Sequence, residues 1–204
     1  MLSSISPLGE RARNARWWLT TTAYLTGSVL GGLALGGLAA AVGSLVPAGW
    51  RSSAAAQLVV AGLLLVGLIL DLGTGGLALP SWRRQVDEQW LTRYRGWVYG
   101  VGFGAQLGFG LVTIITSATT YAVVLLAAWS GQLGAGLAIG GTFGLVRALP
   151  SLGLRRVTDR DALHRVFERV EAWANPAEVV ARVALAAAAT TLVTTTLVVT
   201  TVGS

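Results

Sequence analysis

The chain is 204 residues long, 53% hydrophobic and only 12% charged, with a formal net charge of +6. A soluble domain carries about 25% charged residues, so half of the usual solvating surface is missing. That excludes a disordered chain, an ordinary nucleic-acid-binding domain and nearly any water-soluble globule. All 15 basic residues are arginine, and they fall in short connectors between long apolar runs. This is the charge pattern of membrane topology, not of a nucleic-acid partner. Arginine without lysine on an Ala/Gly/Val-rich background fits a GC-rich bacterial genome. With no cysteine, disulfides, thiolate metal sites and thiol-relay chemistry are excluded.

Residues 1–16 hold Arg11, Arg13 and Arg16 and no apolar run of their own, so they are not expected to be a cleavable signal peptide. A helix needs about 20 apolar residues to cross a hydrocarbon core of ~30 Å. Five stretches qualify: 18–46, 53–72, 97–129, 132–149 and 179–202. The third could be one long span or a hairpin, but two arms of about 15 residues would each be too short to cross. Charge decides for one span. It puts Arg11, Arg13, Arg16, Arg83, Arg84, Arg93, Arg95, Arg147, Arg155, Arg156, Arg160, Arg165, Arg169 and Arg182 on one side and leaves only Arg51 on the other. By the positive-inside rule the amino terminus is cytoplasmic and the carboxyl terminus outside, in an inner or plasma membrane. The polar patch Thr116, Ser117, Thr119 and Thr120 is a place where the third span can bend or break. Trp17, Trp18, Trp82, Trp90, Trp97 and Trp173 fall at the expected inner boundaries, with Trp50 and Trp129 at the outer ones, where a ring with one wet N–H belongs.

Two connectors are patterned. Residues 158–174 open on Thr158-Asp159-Arg160-Asp161, a capping box, and align Leu163, Val166, Phe167, Val170 and Trp173 on one face. They predict an amphipathic helix in the headgroup plane, stopped by Asn175-Pro176. Residues 81–95 repeat the pattern more weakly, with Val86, Trp90, Leu91 and Tyr94. An interfacial anchor is the plain reading of both; a docking surface for a cytoplasmic partner is the alternative. His164 reads as a solvated surface residue.

Glycines recur at helical spacing inside the spans: Gly27 and Gly31, Gly32 and Gly36, Gly100, Gly104 and Gly108, and Gly136, Gly140 and Gly144. Helices in lipid gain nothing from burying Leu on Leu, so small-residue seams drive their association. Gly27, Gly31, Gly104, Gly108, Gly136, Gly140 and Gly144 are the expected packing residues, among the chain's own spans or against a second copy or a partner subunit. Polar residues within spans are the default functional candidates. Here they are Gln106, Thr113, Thr116, Ser117, Thr120 and Asp71. Asp71 lies within the membrane if the second span reaches Leu79, and at its boundary if the span ends at Leu72. The threonines of the fifth span can bond to their own helix carbonyls.

The segments Gly102-Phe103-Gly104-Ala105-Gln106-Leu107-Gly108-Phe109, Trp129-Ser130-Gly131 and Gly144-Leu145-Val146-Arg147-Ala148-Leu149-Pro150 resemble the membrane core of the cytochrome c biogenesis thiol transporters (CcdA/DsbD-like). The resemblance covers about half of the chain and rests mainly on glycines. In that register Gln106 stands at the family's cysteine and both prolines are gone. The resemblance therefore implies the fold and a related solute-export architecture, without the disulfide relay.

The expectation is an all-α polytopic membrane protein with about five transmembrane helices and two interfacial helices. It is expected to bind or move a small solute along Gln106 and the Thr/Ser groups, with no enzyme activity, cofactor or metal. A non-catalytic structural or assembly subunit of a larger membrane complex is the rival. The lipid bilayer is the expected partner, with a homo-oligomer or a partner membrane subunit beside it and no nucleic acid. On a cysteine-free background, single cysteines at Arg83 and Arg160 should react with an impermeant maleimide from the same side. Labelling from opposite sides would overturn the arrangement.

Overall fold

The computed structural model describes residues 6–12, 16–73, 94–110 and 118–202. Among these the chain is helical throughout, with no strand. The helices are α1 (Pro7–Ala12), α2 (Trp17–Ser44), α3 (Ala48–Arg51), α4 (Ala54–Asp71), α5 (Gly96–Phe109), α6 (Thr119–Ser130), α7 (Leu133–Ala148) and α8 (Arg160–Val202). A 3-10 segment, Leu149–Arg156, joins α7 to α8. Among the described residues four stretches are long and apolar enough to cross a membrane: Trp17–Ser44, Ala54–Asp71, Leu133–Arg155 and Asp161–Val198.

The third expected span, 97–129, which the sequence left able to bend or break, is interrupted. That stretch holds two helices, α5 and α6, and α5 ends where Gly110 takes φ +69°. A left-handed residue of this kind ends a helix cheaply only when it is glycine. The break therefore begins ahead of the Thr/Ser patch. Two expected elements also differ. No stop occurs at Asn175-Pro176, because α8 continues for 43 residues with Pro176 inside it. Proline removes one backbone hydrogen bond and bends a helix locally. The backbone bonds on either side carry α8 across that single loss. The separate amphipathic helix over 158–174 is thus the first part of α8. Most of the weaker one, 81–95, lies outside the described residues.

Helix α2 is the centre of the first packing group. Its glycines sit on two faces. Added Cβ atoms at Gly27 and Gly31 would overlap the carbonyl oxygens of Val101 and Ala105 in α5. At Gly32 and Gly36 they would overlap those of Gly140 and Gly136 in α7. The contact is reciprocal: a Cβ on Gly104 or Gly108 would strike the carbonyls of Tyr24 or Ser28, and one on Gly140 or Gly144 those of Gly32 or Ser28. Residue numbers rise together along α2 and α5, so these two run parallel; they run oppositely along α2 and α7. Gly43, near the end of α2, meets the Ala128 carbonyl of α6 in the same way. Helices α5 and α6 thus follow one another along α2, the first beside Thr20–Gly31 and the second beside Gly43. Ser28, fully buried, adds a directed bond here: its hydroxyl donates to the Gly144 carbonyl at 2.7 Å.

The second group is built from side chains. Val60 and Leu64 of α4, Ala118 just before α6 and Ala122 within it, and Leu185 and Ala189 of α8 form one buried cluster. Helices α4 and α8 run antiparallel, tied by the Thr196 hydroxyl donating to Gln57 Oε1 at 2.6 Å.

The glycine faces give a graded prediction. Gly32→Ala or Gly140→Ala should destabilise the bundle by about 1–3 kcal/mol or more, since backbone cannot step aside. Gly62 and Gly134 have nothing within 4 Å of an added Cβ. Alanine at either should be neutral or stabilise by about 0.5–1 kcal/mol through helix propensity. Unfolding in mild detergent with added SDS reads the difference.

Candidate functional site

In a chain with so few charges, where each described charge goes is informative. Helix ends attract them, because the first N–H groups and last carbonyls of a helix have no partner within it and the helix dipole adds half a unit of charge there. Asp71, the last residue of α4, accepts a 2.7 Å hydrogen bond at Oδ1 from the Ala118 N–H at the opening of α6. Its own carbonyl, at the negative end of α4, accepts from Arg182 Nη2 of α8 at 2.7 Å. Three helices therefore meet at one acidic residue. Arg182 also faces Glu178 at 3.3 Å, one turn away on α8.

Two further arginines repeat the device. Arg51 donates from Nη1 to the carbonyls of Ser130 (2.8 Å) and Trp129 (3.3 Å), and from Nε to Val46 (3.2 Å). It thereby binds the end of α6 to the α2–α4 connection. Gly131, at φ +55°, leaves room for that guanidinium, which a Cβ would strike. Arg147 of α7 lies over the Phe143 ring at 5.2 Å, a cation–π distance. Its Nη1 is 3.3 Å from where a Cβ on Gly110 would stand, so a cation sits at the carboxyl end of α5. The two ends of the break in 97–129 are thus matched in sign, Arg147 at the negative end of α5 and Asp71 at the positive end of α6.

A third polar cluster lies where α1 meets the bundle. Glu10 is wholly buried and accepts from the Thr20 hydroxyl at 3.0 Å and from the Tyr99 hydroxyl. It joins α1 to the first turns of α2 and α5. The buried hydroxyl of Thr21 and indole N–H of Trp17 have no hydrogen-bond partner among the described residues.

The residues singled out by sequence are distributed as follows. Asp71 is the three-helix joint just described. Thr120 is buried near the start of α6, and Gln106 is half-buried one turn from the end of α5. Thr113, Thr116 and Ser117 lie outside the described residues. The threonines Thr190, Thr191, Thr194, Thr195, Thr200 and Thr201 return their hydroxyls to carbonyls of α8. A groove of about 320 Å³ lies between α4, α6 and α8; its lining is apolar apart from the Tyr121 hydroxyl and does not include Gln106. No group of three or more His, Cys, Asp or Glu able to hold a metal occurs among the described residues. Sequence reasoning passed over Glu10, Arg51, Arg147, Arg182 and Ser28. Glu10 had one visible mark, being the only acid before residue 71; the others depend on which helix ends meet them.

The chain is 33% identical over 153 residues to the methylamine utilization protein MauF of Paracoccus denitrificans, covering 73% of this chain and 54% of that protein. It is 33% identical over 162 residues to the MauF of Paracoccus versutus, covering 78% and 58%. With the MauF of Methylobacillus flagellatus it shares 30% identity over 179 residues, covering 82% and 61%. The chain therefore spans little more than half the length of the curated relatives it matches. No family model matches it, and no solved structure does. These relatives correct two expectations. They point away from the cytochrome c biogenesis thiol transporters, and away from solute transport as the leading function. The earlier likeness rested on glycines, and close helix packing calls for glycine at that spacing in any family.

The Asp71 joint makes a testable contrast. Asp71→Ala should cost about 0.5–2 kcal/mol, the range for losing a side chain that caps a helix start. Asp71→Asn keeps an accepting oxygen and should retain most of that stability. SDS titration of the purified variants in mild detergent distinguishes the two.

Proposed function

We propose that this chain is a multi-pass membrane protein of a methylamine-utilisation system and acts there as a non-catalytic accessory or assembly subunit. The similarity to MauF proteins supports the system. For the role, the supporting observation is α8. Along the bundle it packs chiefly against α4, through Leu185, Ala189, Leu192 and Thr196. Its other side, with Val180, Ala184, Ala187, Thr191 and Val198, is exposed. Small residues at three- and four-residue spacing on a long exposed helix suit close approach by a helix of another membrane subunit. The glycine seams, by contrast, are occupied by the chain's own helices. Catalysis has little to draw on: there is no cysteine, and the single histidine, His164, is exposed.

In this reading α5 and α6 together make one interrupted crossing beside α2, giving five in all. The amino terminus and the arginine-rich connectors are cytoplasmic, and the carboxyl terminus is outside. An interrupted helix at membrane depth needs its freed backbone groups satisfied by protein. Asp71 and Arg147 stand where they can help meet that need. The first part of α8, with exposed Phe167, Val170 and Trp173, meets the membrane surface.

Deleting the gene should abolish growth on methylamine as sole nitrogen or carbon source while sparing growth on ammonium and succinate. A tagged copy purified in mild detergent from methylamine-grown cells should bring a membrane subunit in fixed ratio. Ala187→Trp, on the exposed face, should release that subunit and weaken growth together. Normal growth of the deletion strain would overturn the system; a fixed partner unaffected by Ala187→Trp would overturn the role assigned to α8.

A further inference from the structure

The groove between α4, α6 and α8 is closed on its inner side by Leu64 and Ala122 and open on the other, where Leu63 and Val66 are each 53% exposed. It runs up to Leu70 and Leu185. These two residues adjoin the Asp71–Arg182 contact, Leu70 by one residue and Leu185 by one helical turn. Two opposite charges therefore stand at the mouth of an apolar groove, Arg182 and Glu178, with side chains 32% and 59% exposed. The hydrogen bonds of Arg182 to Asp71 and Glu178 both leave from Nη2. Its Nε and Nη1 donors have no partner among the described residues.

Helix α4 has 18 residues, and at 1.5 Å per residue it is about 27 Å long, close to a bilayer's hydrocarbon thickness. With Ser53 at one boundary, Asp71 and Arg182 fall at the other, at headgroup level. We infer that this groove binds a single zwitterionic aminophospholipid, phosphatidylethanolamine in type. One acyl chain lies along Leu63, Val66, Leu70 and Leu125, the phosphate takes the open donors of Arg182, and the ammonium faces Glu178. Charge complementarity selects the headgroup. A purely anionic lipid would meet the carboxylate of Glu178 with nothing to neutralise it, and a choline headgroup has no N–H to donate. The inference needs only that α4 and α8 lie in a bilayer and does not depend on the accessory role.

Native mass spectrometry of the full chain, delipidated in mild detergent and re-supplied with defined lipids, tests it. One phosphatidylethanolamine should remain bound per chain, preferred roughly fivefold or more over phosphatidylglycerol and phosphatidylcholine. Glu178→Gln should erase the preference over phosphatidylglycerol, and Arg182→Gln should weaken binding of all three. Should Arg182→Gln loosen the α4–α8 contact itself, Val66→Trp answers separately: the added ring sits on the exposed rim, fills the groove and should abolish retention. Equal retention of all three lipids, a preference for phosphatidylglycerol, or retention unchanged by Val66→Trp would each overturn the site. So would crosslinking of a photo-reactive residue at Val66 to a protein instead of a lipid.

Discussion

Close backbone approach along α2 is the constraint from which the rest of the bundle follows. In hydrocarbon there is no gain from moving leucine out of lipid and onto leucine, so association depends on dispersion contacts and on bonds that short distances permit. At Gly27 and Gly31 on one face, and at Gly32 and Gly36 on another, α2 brings its own backbone against carbonyls of α5 and α7. That distance lets the Ser28 hydroxyl reach the Gly144 carbonyl. A single methyl at these positions separates the helices and weakens many contacts at once. Because α2 carries α5 and α6 end to end along its length, it also fixes where the interruption between them falls.

The charges fit a second economy. Burying a lone ion in hydrocarbon is costly, yet helix ends inside a bundle need ions of a particular sign. Arg51 at the end of α6, Arg182 at the end of α4, Arg147 at the end of α5 and Asp71 at the start of α6 answer both demands together. Asp159 does the same for α8, accepting from the Ala162 N–H at 2.6 Å. At these five residues charge is thus a means of starting or ending helices where the fold requires it. It also gives the Gly110 break a structural purpose that needs no solute.

Helix α8 is the part least explained by the chain's own packing. Among the described residues one of its sides meets the bundle, and its first turns carry an apolar row that includes Trp173, 73% exposed. Lipid satisfies an exposed apolar helix without difficulty, and the threonine hydroxyls returned to α8's own carbonyls make even its polar residues compatible with lipid. What distinguishes this surface is its smallness, Ala184, Ala187 and Thr191 where a purely lipid-facing helix has no need of small residues.

Composition and arginine placement were enough to determine that the chain is helical and has membrane-length apolar stretches, because bilayer thickness and backbone hydrogen bonding leave a chain this apolar few alternatives. Ser53, Gln132 and the Leu45-Val46-Pro47 turn are local signals, and ends of α4, α7 and α2 lie beside them. The continuity of α8 through Pro176 was not legible: a proline's local cost is visible in sequence, while whether the helix resumes beyond it is not. Nor was the end of α5, because Gly110 is one glycine among 27 and only its φ and its neighbours Phe143 and Arg147 set it apart. Glycine spacing marked faces but named no partners, and so suggested a family likeness that it could not support. Tertiary structure alone decided that Gly27 meets α5 while Gly32 meets α7, and that Asp71, Arg147 and Arg182 face helix ends. Those pairings join residues far apart in the chain, and no local property of either residue encodes the other.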